Sequence, residues 1–281
     1  MFSSFALSLI PFDSCSKTQS QIRDKPHPNL LSIADDDIFE SEVYRYIPLK
    51  YVRGGELFGM LNKKETPFGP DRARDIVSSV ARGLIHLHEV IGYAHNDISL
   101  ENILMEEDLC TPVVCDYGLA QKINSPWNSN KHVSGKLPYQ APEIYSGTAT
   151  VASPKADVFS LGVTLFVMLT GIPPFELPDP LHDMRYKYMQ CGRMSELLKL
   201  WGLHISDEAV HLLTGMMFHN PDQRMNMHQV LEHAWFSSSS SSKSSLRHVE
   251  GEVKISSISS SPSSVFNFDD VYSNKKKMNS I

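Results

Sequence analysis

Asp97 and Asn102 stand five positions apart in Ala94-His95-Asn96-Asp97-Ile98-Ser99-Leu100-Glu101-Asn102, and Asp116 of Cys115-Asp116-Tyr117-Gly118 follows nineteen positions after Asp97. Two carboxylates and an amide converging on one pocket supply oxygen donors that suit Mg²⁺, a hard cation that also binds phosphate groups. Each of these residues alone reads equally well as a turn former. The combination, in this order, is the specific signal.

Such a set needs elements to hold it. Ile76, Val80, Leu84 and Leu87 mark one face of a helix, with Pro70 just ahead and Gly92 just beyond. Asp97 therefore follows a long helix and precedes an apolar run. Strand-like runs are predicted at 30–33 and 43–49, with the acidic residues 35–37 as the turn between them. Further helices are predicted over 155–170, which is apolar nearly all round and so central, and over 207–218 and 226–235. The expected fold is α+β: a small strand-containing piece leading into a large helical body, with no internal repeat. After Phe236 the composition breaks into a polyserine run, 237–242, and a serine-rich tail ending near Lys275-Lys276-Lys277. Residues 237–281 are expected to be disordered, and the lysines read as part of a solvated tail.

The chain has 281 residues, 41% of them hydrophobic and 21% charged, so it can bury a sizeable core. Its net charge is −6, from 26 basic and 32 acidic residues, which gives no global basic field for nucleic acid. Four cysteines (Cys15, Cys110, Cys115 and Cys191) make no disulfide framework and fit a reducing compartment. The longest apolar run, 158–169, is broken by Ser160, Gly162 and Thr164 and falls short of the ~20 residues that span a bilayer. Residues 1–12 are apolar but lack the charged region and cleavage site of a signal peptide. A cytoplasmic protein is expected, with the nucleus as alternative; the oligomeric state leaves no trace. The histidines show no metal-ligand spacing, and Met216, Met217, Met225 and Met227 read as packing residues.

These blocks resemble the protein kinase family from His27 to Phe236. His95-Asn96-Asp97-Ile98-Ser99-Leu100-Glu101-Asn102 stands where that family has its catalytic loop, and Asp116-Tyr117-Gly118 where it has its metal-binding triplet. Ala141-Pro142-Glu143 matches the close of the activation segment, and Asp157 to Gly162 the start of the central helix. Arg224 matches the arginine that pairs with Glu143, and the run from Tyr51 to Phe58 resembles the hinge. The resemblance implies ATP and a protein as substrates, with Mg²⁺ as cofactor, while the charge and the short apolar run lead to an expectation of no nucleic-acid or membrane partner. It makes Asp97 the acceptor of the substrate hydroxyl's proton and Asn102 and Asp116 the metal ligands. Tyr51 and Val52 then offer backbone hydrogen bonds to adenine, Leu49 is gatekeeper, Leu104 the adenine floor, Glu56 reaches the ribose, and Glu101 joins the nucleotide-binding set. Asp157, Glu143 and Arg224 take structural roles. Small-molecule phosphotransferases share the Asp–Asn–Asp arrangement but need no such platform after it.

The sequence departs from the family pattern in three places. The family's phosphate loop, strand lysine and helix glutamate have no counterpart among residues 1–26, which contain no glycine. Lys17 and Lys25 are badly placed for the strand lysine. Thr18 stands in the glutamate's position, while Ile22 does fit an apolar position of the same helix. The expectation is a truncated upper lobe, with residues 1–26 its remnant or an unstructured segment, 27–52 a partial upper lobe and 53–236 a complete lower lobe. A site without those donors is slower by on the order of 10²–10⁴, so a pseudokinase acting as a scaffold is the alternative reading.

Asn96 replaces an arginine suited to phosphate capture, so phosphorylation is not expected to order the segment holding Ser125, Ser129 and Ser134. Finally, Ser99 stands where Ser/Thr kinases carry a lysine, and Lys136 where they carry a threonine. This reciprocal exchange suggests that Lys136 supplies the missing ammonium beside Asp97, with Ser99 as its partner. The displacement leaves Ser/Thr against Tyr preference open. Cys115, next to the metal aspartate, reads as a packed thiol.

Overall fold

A helix with almost no polar stripe has to be surrounded, and α5 (Pro154–Thr170) is surrounded: every residue from Ala156 to Met168 is buried. Ser153 caps it by accepting the Lys155 N–H, Pro154 occupies the first turn where an N–H is not needed, and Gly171 ends it at φ 78°. The few hydroxyls inside turn onto backbone: Ser160 Oγ donates to Tyr139 O at 2.7 Å and Thr164 Oγ1 to Ser160 O at 2.8 Å. This computed structural model describes residues 13–34, 39–40, 45–62, 67–128 and 135–237. The acidic turn 35–37, Ser129, Ser134, residues 1–12 and the tail from 238 onward lie outside the described residues.

Around α5 pack α3 (Pro70–Ile85) and α8 (Asp207–Met216). The apolar face of α3 is buried through Ile76, Val77, Val80 and Leu84. The helix does not run on to Gly92 as a regular helix. It passes into a π-helical turn, His86–Ile91, that buries Leu87, His88 and Ile91, and Gly92 closes it at φ 86° with its N–H on Leu87 O. Two short helices, α2 (Leu57–Asn62) and α4 (Pro142–Tyr145), precede α5, and two more with no sequence signal of their own, α6 (Met184–Gln190) and α7 (Met194–Leu200), lie between α5 and α8. Asp183 starts α6 by accepting the N–H groups of Arg185 and Tyr186.

Two helix expectations need correction. The helix expected over 207–218 stops at Met216. The one expected over 226–235 is two helices, α9 (Met227–Leu231) and α10 (Ala234–Ser237). Asn226 and Gln229 open α9 with a reciprocal capping box, and His233 starts a new helix by accepting the Trp235 N–H on its ring at 3.2 Å.

The strands are short and antiparallel: β1 (Phe39–Glu40) with β2 (Arg45–Tyr46), β3 (Tyr93–Ala94) with β6 (Gln121–Lys122), and β4 (Ile103–Met105) with β5 (Pro112–Val114). Of the strands expected at 30–33 and 43–49, the described residues form β2 and two isolated bridges, Leu30 with Val114 and Ile33 with Leu49, while 43 and 44 lie outside the described residues. Hydrogen bonds from Ala34 N to Pro48 O and from Lys50 N to Ser32 O flank the second bridge; Pro48 has no N–H to extend the ladder. Upstream, α1 (Asp13–Asp24) buries Thr18, Gln19 and Ile22 and packs against residues 117–119. Helices with a few small sheets make the α+β class. No helix of the described residues is long and apolar enough to cross a membrane.

Candidate active site

The loop carrying Asp97 hangs from one buried carboxylate in α5. Asp157 Oδ2 accepts the His95 N–H at 2.8 Å and Oδ1 the Asn96 N–H at 2.7 Å, while His88 Nε2 lies 2.7 Å from Oδ2. Burial alone would raise the Asp157 pKa, but the hydrogen bonds from His88 and the backbone bring it below the ordinary carboxylate value. These anchors fix Asn96 in the left-handed region at φ 65°, which asparagine tolerates better than most residues. The Asn96 amide then donates to Ala94 O and, at 3.2 Å, to Leu119 O, joining the loop to the segment after Asp116.

His95 has a defined tautomer. The Asp97 N–H donates to its Nδ1 at 3.2 Å, so the ring proton is on Nε2, which meets Cys115 O at 3.0 Å. Tyr117 packs on the same ring at 5.4 Å between centroids and donates its hydroxyl to Val114 O. Sequence reasoning gave His88 and His95 no role; His88 meets Asp157 sixty-nine residues away and His95 meets Cys115 O twenty residues away, contacts that leave no local signal.

Asn102 meets Asp97 directly. Its Nδ2 donates to Asp97 O at 2.7 Å and to Asp97 Oδ2 at 2.9 Å. Both amide hydrogens are thereby used, and the amide oxygen is left as an acceptor. The Cys115 N–H donates to Asn102 O at 2.9 Å, setting Asp116 beside this pair. Asp116 is exposed, holds φ 63°, and takes the Gly118 N–H on Oδ1 at 3.1 Å. The Asp97 pKa is raised by burial, against the opposing pull of Lys136, His95 and the Asn102 hydrogen bond. Burial, followed by the negative charges of Asp116 and Glu56, pushes the Cys115 thiol up to about 12, which fits a packed thiol.

Lys136 and Ser99, thirty-seven residues apart, are in contact: Lys136 Nζ donates to Ser99 Oγ at 2.7 Å. Glu101 Oε2 lies 3.3 Å from the same ammonium. Of the expected nucleotide residues, Glu56 and Leu104 come together at β4. Gly54 N donates to Met105 O and Met105 N to Gly55 O, both at 2.8 Å, and Glu56 bridges Leu104. A Cβ at Gly54 would collide with the backbone carbonyls of Met105 and Glu106, so only glycine permits this approach. Val52 is buried and Tyr51 exposed, while Leu49 is half-buried and pairs with Ile33.

A family model described as the protein kinase domain matches residues 17–236. The chain belongs to the protein kinase family. It is 31% identical over 217 residues to human serine/threonine-protein kinase DCLK3, a match covering 76% of this chain and 32% of that protein. It is 35% identical over 200 residues to the probable serine/threonine-protein kinase 2 of Plasmodium falciparum, covering 70% and 38%. It is 31% identical over 211 residues to Arabidopsis thaliana serine/threonine-protein kinase SRK2C, covering 75% and 60%. The chain thus spans about a third of the DCLK3 length.

Members of this family use ATP, typically with Mg²⁺. The donor set here fits such an ion: an amide oxygen with both its hydrogens engaged elsewhere, and an exposed carboxylate on a neighbouring loop. Both are hard oxygen ligands. The expected ion pair is formed as well, with Arg224 Nη1 and Nη2 each 2.8 Å from a Glu143 carboxylate oxygen.

Proposed function

We propose that this chain transfers the γ-phosphoryl group of ATP to serine or threonine hydroxyls of proteins. The observation that carries this reading is the double hydrogen bond from the Asn102 amide to Asp97. It holds the carboxylate in place and leaves the amide oxygen as an acceptor. In the proposed step the substrate hydroxyl oxygen bonds to phosphorus, the β–γ bridging P–O bond breaks with its electron pair leaving on ADP, and the hydroxyl proton passes to Asp97. Phosphoryl transfer of this kind depends on positioning and electrostatics rather than on covalent help from the protein.

Asn102 and Asp116 are the proposed holders of Mg²⁺, which when bound offsets charge on the phosphates. The backbone of Tyr51 and Val52 is proposed to hold adenine between Leu49 and Leu104. Glu56 is assigned to the ribose and Glu101 to the edge of the nucleotide site. Serine and threonine as acceptors rest on the relatives, which are named as serine/threonine-protein kinases. In the same reading residues 53–236 form the lower lobe and 27–52 part of the upper one. Residues 1–26 belong to that lobe's remnant, with α1 its described piece, and 237–281 stand outside the domain.

The test is transfer from γ-labelled ATP to a degenerate serine/threonine peptide library, using the full chain. Transfer that requires Mg²⁺ and disappears in Asp97→Asn is expected. If the wild type transfers no more label than Asp97→Asn and shows no Mg²⁺-dependent nucleotide binding, the reading fails and a scaffold role replaces it.

A further inference from the structure

We propose that Lys136 supplies the cation of the transfer site from the activation segment, held by Ser99 and Glu101 and directed at the phosphoryl group being transferred at Asp97. The inference rests on the kinase reading above and assigns its site a further residue.

The argument begins with charge. Asp97, Asp116, Glu56 and Glu101 bring four carboxylates to one neighbourhood, and a triphosphate adds more negative charge. A site that stabilises a phosphoryl in flight needs fixed positive charge there. Lys136 is the lysine whose field reaches both Asp97 and Cys115.

Geometry places it. Ser99, the hydroxyl partner at 2.7 Å, is wholly buried. Glu101 Oε2 is 3.3 Å away, longer than the roughly 2.7–2.9 Å of a strong charge-assisted hydrogen bond. The ammonium is therefore positioned mainly by a neutral partner, and its charge is not cancelled in a tight ion pair. An ammonium has three N–H groups; with one donated to Ser99 Oγ, N–H groups remain for a phosphate oxygen beside the charge contact to Glu101.

The backbone that delivers Lys136 is fixed from both sides. Gly135, at φ 116°, lies so close to the base that an added Cβ would sit 3.5 Å from Asp97 Oδ1. On the other side, Tyr139 N donates to Lys136 O at 2.9 Å, and Tyr139 O in turn accepts Ser160 Oγ from the core helix α5. A flexible side chain is thus mounted on a rigid turn. The base and the cation come from different segments, so the transfer site is complete only while the turn at 137–139 is seated.

The experiment uses the full chain as wild type, as Lys136→Met, and as the double variant Ser99→Lys with Lys136→Thr, which moves the lysine onto the catalytic loop. Steady-state kinetics are measured alongside calorimetric binding of ADP and of the imido analogue of ATP, each with Mg²⁺. Lys136→Met should lower kcat about 100-fold with little change in peptide KM, in line with loss of one preorganised donor. It should also lose the wild type's preference for the analogue over ADP, while the double variant recovers both.

Wild-type turnover and nucleotide preference in a folded Lys136→Met overturn the proposal. So does a double variant that folds but performs no better than Lys136→Met. If the double variant does not fold, the split between kcat and KM in Lys136→Met decides alone. A wild type that binds neither nucleotide removes the kinase reading itself, and this inference with it. That outcome is recognised by the wild type's failure rather than the variant's.

Discussion

Asp157 Oδ1 accepts the backbone N–H of Asn96 at 2.7 Å, across sixty-one residues of sequence. The contact joins the core helix to the residue immediately before the proposed base, and the second carboxylate oxygen does the same for His95. A carboxylate can only accept, so His88 must present a proton on Nε2 to complete the set. Asp157→Ala removes the acceptor for one buried and one half-buried N–H group and one ring at once. A loss of about 3–5 kcal/mol in unfolding free energy is expected, the range for breaking a buried charged network. Urea denaturation measures it; a loss under 1 kcal/mol would show that the loop is anchored elsewhere.

The same carboxylate makes a pH prediction. Its folded pKa lies below the ordinary value because the hydrogen bonds outweigh burial. A depressed acid contributes stability that is fully present above its unfolded pKa, near 3.9, and is lost as pH falls through the folded value. The stability difference between wild type and Asp157→Asn should therefore stay level from about pH 7 to 5 and shrink below about pH 4. A difference that widens on acidification would mean that the charged form is not the one being stabilised.

Arg224 is 1% exposed, yet every one of its five N–H donors is engaged. Nε donates to Phe218 O, Nη1 to Glu143 Oε1 and Lys155 O, and Nη2 to Glu143 Oε2 and His219 O, at distances from 2.7 to 3.2 Å. Lysine carries a point charge without the planar fork and cannot reproduce this pattern. Arg224→Lys should cost about 3–5 kcal/mol despite keeping its charge. Combined with Glu143→Gln, the total should fall short of the sum of the single losses, because both variants break one network. Additive losses would argue that the two residues act independently.

What the sequence discloses follows from where physics fixes residue type. The metal and proton roles proposed for Asp97, Asn102 and Asp116 admit few other residue types, so those residues are readable in order and spacing. The apolar character of 155–170 likewise announces a surrounded helix. The contact between Lys136 and Ser99 is legible only because each of two motifs lacks what the other carries. By contrast, the His88–Asp157 contact spans sixty-nine residues and leaves no local pattern. The π-helical turn at His86–Ile91 keeps a helical hydrophobic rhythm and so reads as ordinary helix. The break between α9 and α10 turns on a single ring accepting one N–H, and α6 and α7 are too short for periodicity to reveal.

Two glycines in helices test the packing of α8. At Gly162 in α5, an added Cβ would lie 2.8 Å from Met217 Cγ and 2.9 Å from Met216 Cβ. The second atom is rigidly attached to the α8 backbone, so relief requires the two helices to separate. At Gly215 in α8, an added Cβ would meet Met225 Cε and, at 2.8 Å, Met225 Sδ. Those atoms end a flexible thioether that can rotate aside. Alanine in place of helical glycine also gains about 1 kcal/mol of intrinsic helix preference at either position. Gly162→Ala should therefore destabilise by about 1–3 kcal/mol, the usual cost of overpacking, while Gly215→Ala should fall close to neutral. Urea midpoints of the two variants give the comparison directly. If Gly215→Ala proves the more damaging, then Met225 rather than the α5–α8 crossing is the rigid element.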